Sequence, residues 1–182
     1  MAATLSSTRA DSLEDRTLLT AFTVLNTDDS GAGSLREAIE AANANAGADT
    51  ISFDAGLAGE TIVLTNELAV TDDLTINGLG ADQLTLDGNN NSRIFNINDY
   101  SSATTITVEI SGLTLTNGNS NEIGATPAGH GGAILSFENL TVVDSTLRGN
   151  QARLGGGADL IPVNSTSDYE RIHPGRSPER IF

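Results

Sequence analysis

The chain has 182 residues, with 24 acidic side chains against 9 basic ones and a formal net charge of −15. A field this negative repels phosphate backbones and anionic lipid headgroups alike, so no nucleic-acid partner is expected and divalent cations are the natural counter-charge. The length suits one domain with its own core; the lack of cysteine removes disulfides, thiolate metal sites and cysteine nucleophiles, and no apolar run reaches the roughly 18 residues that a transmembrane helix needs.

From the start, Met1 to Phe22 lacks the basic opening and apolar run of an ordinary secretory signal. The first clear element is Ser34 to Asn45. Leu35, Ala38, Ile39 and Ala42 fall on one face at helical spacing, which predicts a short amphipathic helix of about three turns. Ser34 and Glu37 make a capping box, the hydroxyl accepting from the N3 amide and the carboxylate returning to the cap amide. Gly47 stands where the helix can stop.

Beyond Thr50 the period falls from 3.6 to 2. The runs are short: Ile51-Ser52-Phe53, Ile62-Val63-Leu64, Leu68-Ala69-Val70, Leu74-Thr75-Ile76, Leu84-Thr85-Leu86, Phe95-Asn96-Ile97, Ile106 to Ile110, Leu113-Thr114-Leu115 and Leu140-Thr141-Val142. Strands of this length bury too little alone and must stack into a continuous core. Gly131-Gly132-Ala133 recurs at Gly156-Gly157-Ala158, and Leu113-Thr114-Leu115 is matched with Leu140-Thr141-Val142. Spacings of roughly 20 to 50 residues mark stacked-repeat architectures. Asn77-Gly78, Asp87-Gly88-Asn89-Asn90-Asn91, Asn117-Gly118-Asn119 and Gly149-Asn150 tolerate left-handed backbone and are read as corners.

The fold class predicted is therefore all-β, a right-handed parallel β-helix (solenoid) with one short N-terminal capping α-helix. An antiparallel sandwich is the competing reading, since Asn-Gly also marks hairpins. The regions are 1–22, an N-terminal segment; 23–161, the parallel β-helix including the capping helix at 34–45; and 162–182, an irregular tail without strand alternation, expected to be disordered. The tail leaves the last rung without an evident cap, which suggests a fragment or frameshifted product and self-association through the open rung.

Three stretches resemble known families. Leu13-Glu14-Asp15-Arg16-Thr17-Leu18-Leu19 resembles the LEPR-x-LL element near the start of large exported bacterial proteins, with Asp15 in place of Pro. Asp29 to Ile39, followed by Ala41-Ala42-Asn43, Ala48-Asp49-Thr50-Ile51 and Phe53, resembles the CSLREA-type module, with Gly33 in place of cysteine. Gly131-Gly132-Ala133-Ile134 and Leu147-Arg148-Gly149-Asn150 before Gly155-Gly156-Gly157-Ala158 are similar to the repeats of polymorphic outer membrane proteins, with Leu147 in the Phe position. The resemblance implies a pectin-lyase-like β-helix, secreted or displayed on a bacterial cell surface and often adhesive, with the amphipathic helix plugging the first open coil.

Asn26-Thr27-Asp28-Asp29 and Gly129-His130-Gly131 imitate a pectin-degrading hydrolase, in which one carboxyl protonates the leaving oxygen and another activates water. The two strings lie far apart, and the family's Arg-Ile-Lys element cannot exist without lysine. A lyase needs a basic residue beside acidic ligands; Arg93, Arg148 and Arg153 are the candidates, with Asp144 beside Arg148. Neither constellation supports a catalytic assignment. Calcium is the one cofactor that the acidic corners suggest, because hard cations want clustered oxygen ligands. Its candidates are Asp72, Asp73, Asp87, Asp99 and Asp159, with Asp82 and Asn89 to Asn91 nearby in sequence.

His130 and His173 give no zinc spacing. Asn117, Asn119, Asn121 and Asn150 are expected to form a ladder between coils, and Thr75, Thr85, Thr114 and Thr141 an outward hydroxyl face available to glycans. The function expected is a non-enzymatic exported segment, structural or adhesive, contacting surface glycans or other proteins. The alternative is a polysaccharide lyase or glycoside hydrolase of the same fold.

Overall fold

A computed structural model of the chain describes residues 19–120 and 130–152. The LEPR-x-LL-like element before Leu19, Asn121, Gly129, Arg153, Asp159, the second Gly-Gly-Ala, His173 and the tail lie outside the described residues. Twelve strands and one α-helix make up the described chain. In order they are β1 (Ala21–Val24), α1 (Leu35–Ala44), β2 (Asp49–Phe53), a 3-10 turn (Ala55–Leu57), β3 (Glu60–Val63), β4 (Leu68–Val70), β5 (Leu74–Asn77), β6 (Leu84–Asp87), β7 (Phe95–Ile97), β8 (Thr107–Ser111), β9 (Thr114–Thr116), β10 (Ile134–Ser136), β11 (Asn139–Val143) and β12 (Thr146–Arg148).

The strands fall into three sheets, β1-β2-β5-β8-β11, β3-β6-β9-β12 and β4-β7-β10, and every pair of neighbouring strands is parallel. From β2 onward the chain deals successive strands to the three sheets in the same rotation. Parallel neighbours cannot be joined by hairpins, so the antiparallel sandwich is excluded for this part of the chain. β1 spans the boundary expected between residues 22 and 23; its Phe22 pairs with Ile51.

Register aligns the apolar positions into rows across the rounds. Ile51, Ile76, Ile110 and Val142 form one row of the five-stranded sheet, and Ile62, Leu86 and Leu115 a row of the four-stranded sheet. Leu68, Phe95 and Ile134 form the matching row of the third sheet. All belong to one buried cluster, and each fully buried branched side chain contributes roughly 1.5–3 kcal/mol by leaving water. The helix packs against β1, β2 and β4 and buries the four apolar residues expected, Leu35, Ala38, Ile39 and Ala42.

The helix start departs from the expected capping box in one bond. Ser34 Oγ accepts from Glu37 N at 3.2 Å, as expected. The Glu37 carboxylate, however, accepts from Gly33 N at 2.6 Å, because Ser34 N already donates to Gly31 O in the preceding turn. At the other end Asn45 is the cap, and Gly47 takes a left-handed φ of 112° beyond it.

Two further expectations are corrected. Leu113-Thr114-Leu115 is not the counterpart of Leu140-Thr141-Val142: β9 pairs with β12, with Thr114 opposite Thr146, while β11 pairs with β8. The two runs share an alternation that every strand here shares, so the pattern alone does not say which sheet a strand joins. Thr114 is also not part of an exposed hydroxyl face. It points away from the core but is 4% exposed, its hydroxyl donating to Ala81 O where the preceding turn folds over it. Thr75 and Thr85 are half-buried and Thr141 is exposed.

Candidate functional site

The corners between sheets carry the polar side chains. At the first, Asp29 is an anchor between segments. Arg36 Nη2 donates to Asp29 Oδ1 at 2.8 Å and to Asn66 O, and Arg36 Nη1 donates to Glu67 O. Thr65 gives its amide and its hydroxyl to the same carboxylate. Burial pulls the Asp29 carboxyl upward, but the bonds from Arg36 and Thr65 outweigh it and hold the group below its ordinary range. The carboxylates proposed for hydrolase chemistry are thus not paired for it. Asp29 ties the turn before α1 to Thr65–Glu67, and Asp28 contributes its amide to Asn26 Oδ1.

The second constellation joins residues far apart in sequence. Arg93 Nε donates to Glu67 Oε2 at 2.8 Å, Asn96 Nδ2 donates to Glu67 Oε1 at 2.9 Å, and Arg93 Nη1 donates to the carbonyl of His130 at 3.0 Å. Two candidates, Arg93 and His130, therefore do meet. Their arrangement is not that of a lyase base, because the Arg93 side chain has no solvent exposure and its Nε is engaged by the Glu67 carboxylate. His130 offers a backbone oxygen rather than its ring. Glu67, the carboxylate that organises the cluster, carries no motif; its only sequence signal is its position one round before Arg93. The remaining arginine candidate, Arg148, is exposed, and among the described residues the ion pairs are Arg36–Asp29 and Arg93–Glu67.

The third is a groove of about 410 Å³ lined by Thr71, Asp72, Asp73, Asp99, Ser101, Thr104, Thr105 and Ile106. It gathers three of the five calcium candidates. Each is already engaged: Asp72 Oδ1 accepts from Asp73 N, Asp73 Oδ1 from Thr107 N, and Asp99 from Ser101 N and the Thr104 hydroxyl. The bonds from Thr104 and Ser101 hold the Asp99 carboxyl below its ordinary range. Among the described residues no group of three or more His, Cys, Asp or Glu is placed to hold one metal ion.

Asp87, the fourth candidate, is elsewhere. It accepts from Asn89 N at its own corner and from Asn117 Nδ2 in the next round. The expected asparagine ladder runs between rounds, but through other partners. Asn119 Nδ2 donates to Asn90 O, and Asn150 takes Gly118 N and donates to Leu115 O. The amides thus bond to backbone and carboxylate groups of other rounds rather than to one another, and of the three only Asn117 itself takes a left-handed φ, of 53°.

Comparison with protein-family models, with curated proteins and with solved structures gave no match. No helix among the described residues is long and apolar enough to cross a membrane.

Proposed function

We propose that this chain is a segment of a right-handed parallel β-helix, exported and either secreted or displayed at a bacterial cell surface, whose role is structural or adhesive. The observation that carries this reading is the rotation of successive strands through three parallel sheets with apolar rows in register. A stacked coil of this kind is an extended scaffold that repeats outward-facing positions along its length. The resemblance of Asp29 to Ile39 to the CSLREA-type module and of Gly131 to Ile134 to outer-membrane-protein repeats supports the same assignment.

The groove at Thr71–Asp73 and Asp99–Ile106 is the best candidate contact face. Its carboxylates and hydroxyls suit the hydroxyls of a neutral glycan, or a polar protein surface, and repel polyuronates. Saturable binding of the full chain to immobilised neutral glycans, weakened at least tenfold by the double substitution Asp72→Asn and Asp73→Asn, is the expected result. Equal binding by both proteins would remove the groove from the proposal.

A carbohydrate-active lyase or hydrolase is the second reading, and it rests on the exposed Arg148 with Asp144 near it in the chain rather than on the buried Arg93. Cleavage of polygalacturonate by the purified chain, abolished by replacing His130 or Arg148, would replace the first reading with this one.

A further inference from the structure

The turn from β7 to β8 is much longer than its counterparts. From β4 to β5 the chain needs only Thr71–Asp73, and from β10 to β11 only Phe137–Glu138, whereas from β7 to β8 it makes the excursion Asn98–Ile106. This excursion is one wall of the groove. It is braced from within. Tyr100 N donates to Asn98 Oδ1, Ser101 N to Asp99 Oδ1, Ala103 N and Thr104 N to Ser101 Oγ, and Thr104 Oγ1 to Asp99 Oδ2.

Its connections to the body concentrate at its two ends. Asp99 N donates to Glu138 Oε1 at 3.3 Å and Ile106 N donates to Glu138 Oε2 at 3.2 Å. A single carboxylate from the next round thus reaches both ends of the excursion, beside the backbone bonds from Asn98 N to Val70 O and from Asn139 N to Ile106 O. Glu138 is 6% exposed, and its own amide is held by Ser136 Oγ. From the round before, Asp73 Oδ1 accepts from Thr107 N just beyond the excursion. Between those ends residues 100–105 are all exposed, so no apolar burial ties the middle of the excursion down.

A segment that is braced within itself, solvated from residue 100 to 105 and fastened at its ends has the makings of a local opening unit, whose stability is set by the fastening at those ends. We propose that Asn98–Ile106 is a hinged strap over the groove, latched shut by the Glu138 carboxylate, and that releasing the latch lets the strap swing as one piece. The strap rests on the geometry of Glu138 and stands whether or not the groove binds a glycan.

The test is native-state hydrogen exchange on the full chain and on Glu138→Gln, which keeps the shape but replaces one accepting oxygen with a donor. The expected result is exchange accelerated by roughly tenfold or more at Asp99 and Ile106, the change expected from losing a buried hydrogen bond, with the amides of Ile76 and Ile110 unchanged. Thr104→Val provides the second variant. It removes the inner brace and is expected to accelerate the Ser101 to Thr104 amides while leaving Ile106 protected. Unchanged exchange at Asp99 and Ile106 in Glu138→Gln would overturn the latch. Equal acceleration of Ile76 and Ile110 would overturn it too, by making Glu138 a general core residue.

Discussion

Arg93 Nε lies 2.8 Å from Glu67 Oε2, with the arginine side chain fully shielded from solvent and the glutamate 28% exposed. The pair links two rounds of the fold through groups 26 positions apart in sequence. A buried guanidinium is tolerable only while its charge is balanced and its donors are used. Removing the partner is therefore worse than removing the arginine. Glu67→Ala should destabilise the chain by about 3–5 kcal/mol, the range for a buried charge left without its partner. Arg93→Met, which fills the space and leaves Glu67 able to reach solvent, should cost less. Urea unfolding of both variants at neutral pH checks the order; equal losses would mean that shape rather than charge governs the site.

The carboxyl of Asp29 sets an acid limit on the joint between the helix module and Thr65–Glu67. Its folded pKa lies below the ordinary 3.8, so its stabilising contribution is complete above that value and is lost as the pH falls through the folded one. Asp29→Asn should flatten the part of the stability profile below about pH 4. The difference from the parent chain at neutral pH should be under about 1 kcal/mol, since the pair is partly screened by solvent. Thermal unfolding at closely spaced pH values measures it, and an unchanged acid slope in the variant would show that Asp29 does not titrate with folding.

Where two corners stack, there is no room for a side chain. A Cβ on Gly78 would lie 2.2 Å from Gly112 O, while Gly80 N donates to that same oxygen and Gly78 N to Ser111 O. Gly78→Ala should lower the melting temperature by several degrees, from an overpacking cost of about 1–3 kcal/mol. Thr75→Ala, on the outward side of the adjacent strand, should change it little. Calorimetry on the two variants decides whether close stacking of the corners limits stability.

Much of the local structure was legible from residue order. Ser34 and the spacing of Leu35, Ala38, Ile39 and Ala42 located the helix, because a cap and a 3.6-residue period are properties of neighbouring residues. The alternating runs located nine of the strands, and Asn89, Asn90 and Asn117 marked corners through their tolerance of positive φ. β1, β10 and β12 were not expected: β1 straddles the boundary drawn between residues 22 and 23, while Ile134-Leu135-Ser136 and Thr146-Leu147-Arg148 do not have apolar residues at both their first and third positions.

The sites were less legible than the strands. Asp72, Asp73 and Asp99 were picked out for their chemistry, and the fold does bring them to one groove. Glu67 and Glu138 were not, since an isolated glutamate beside a short apolar run has no local signature, and each acquires its role from a residue in another round.

Sequence by itself determined the local conformations: one capped helix, short strands of period 2, and corners built on Asn and Gly. Only tertiary structure decided which strands are neighbours, and hence that Arg93 meets Glu67 and that Glu138 fastens Asn98–Ile106. The physical reason is that parallel pairing brings together residues a whole round apart. Every strand presents much the same alternation, so partner choice depends on the uneven lengths of the corners and on how the apolar rows fit when all rounds pack at once.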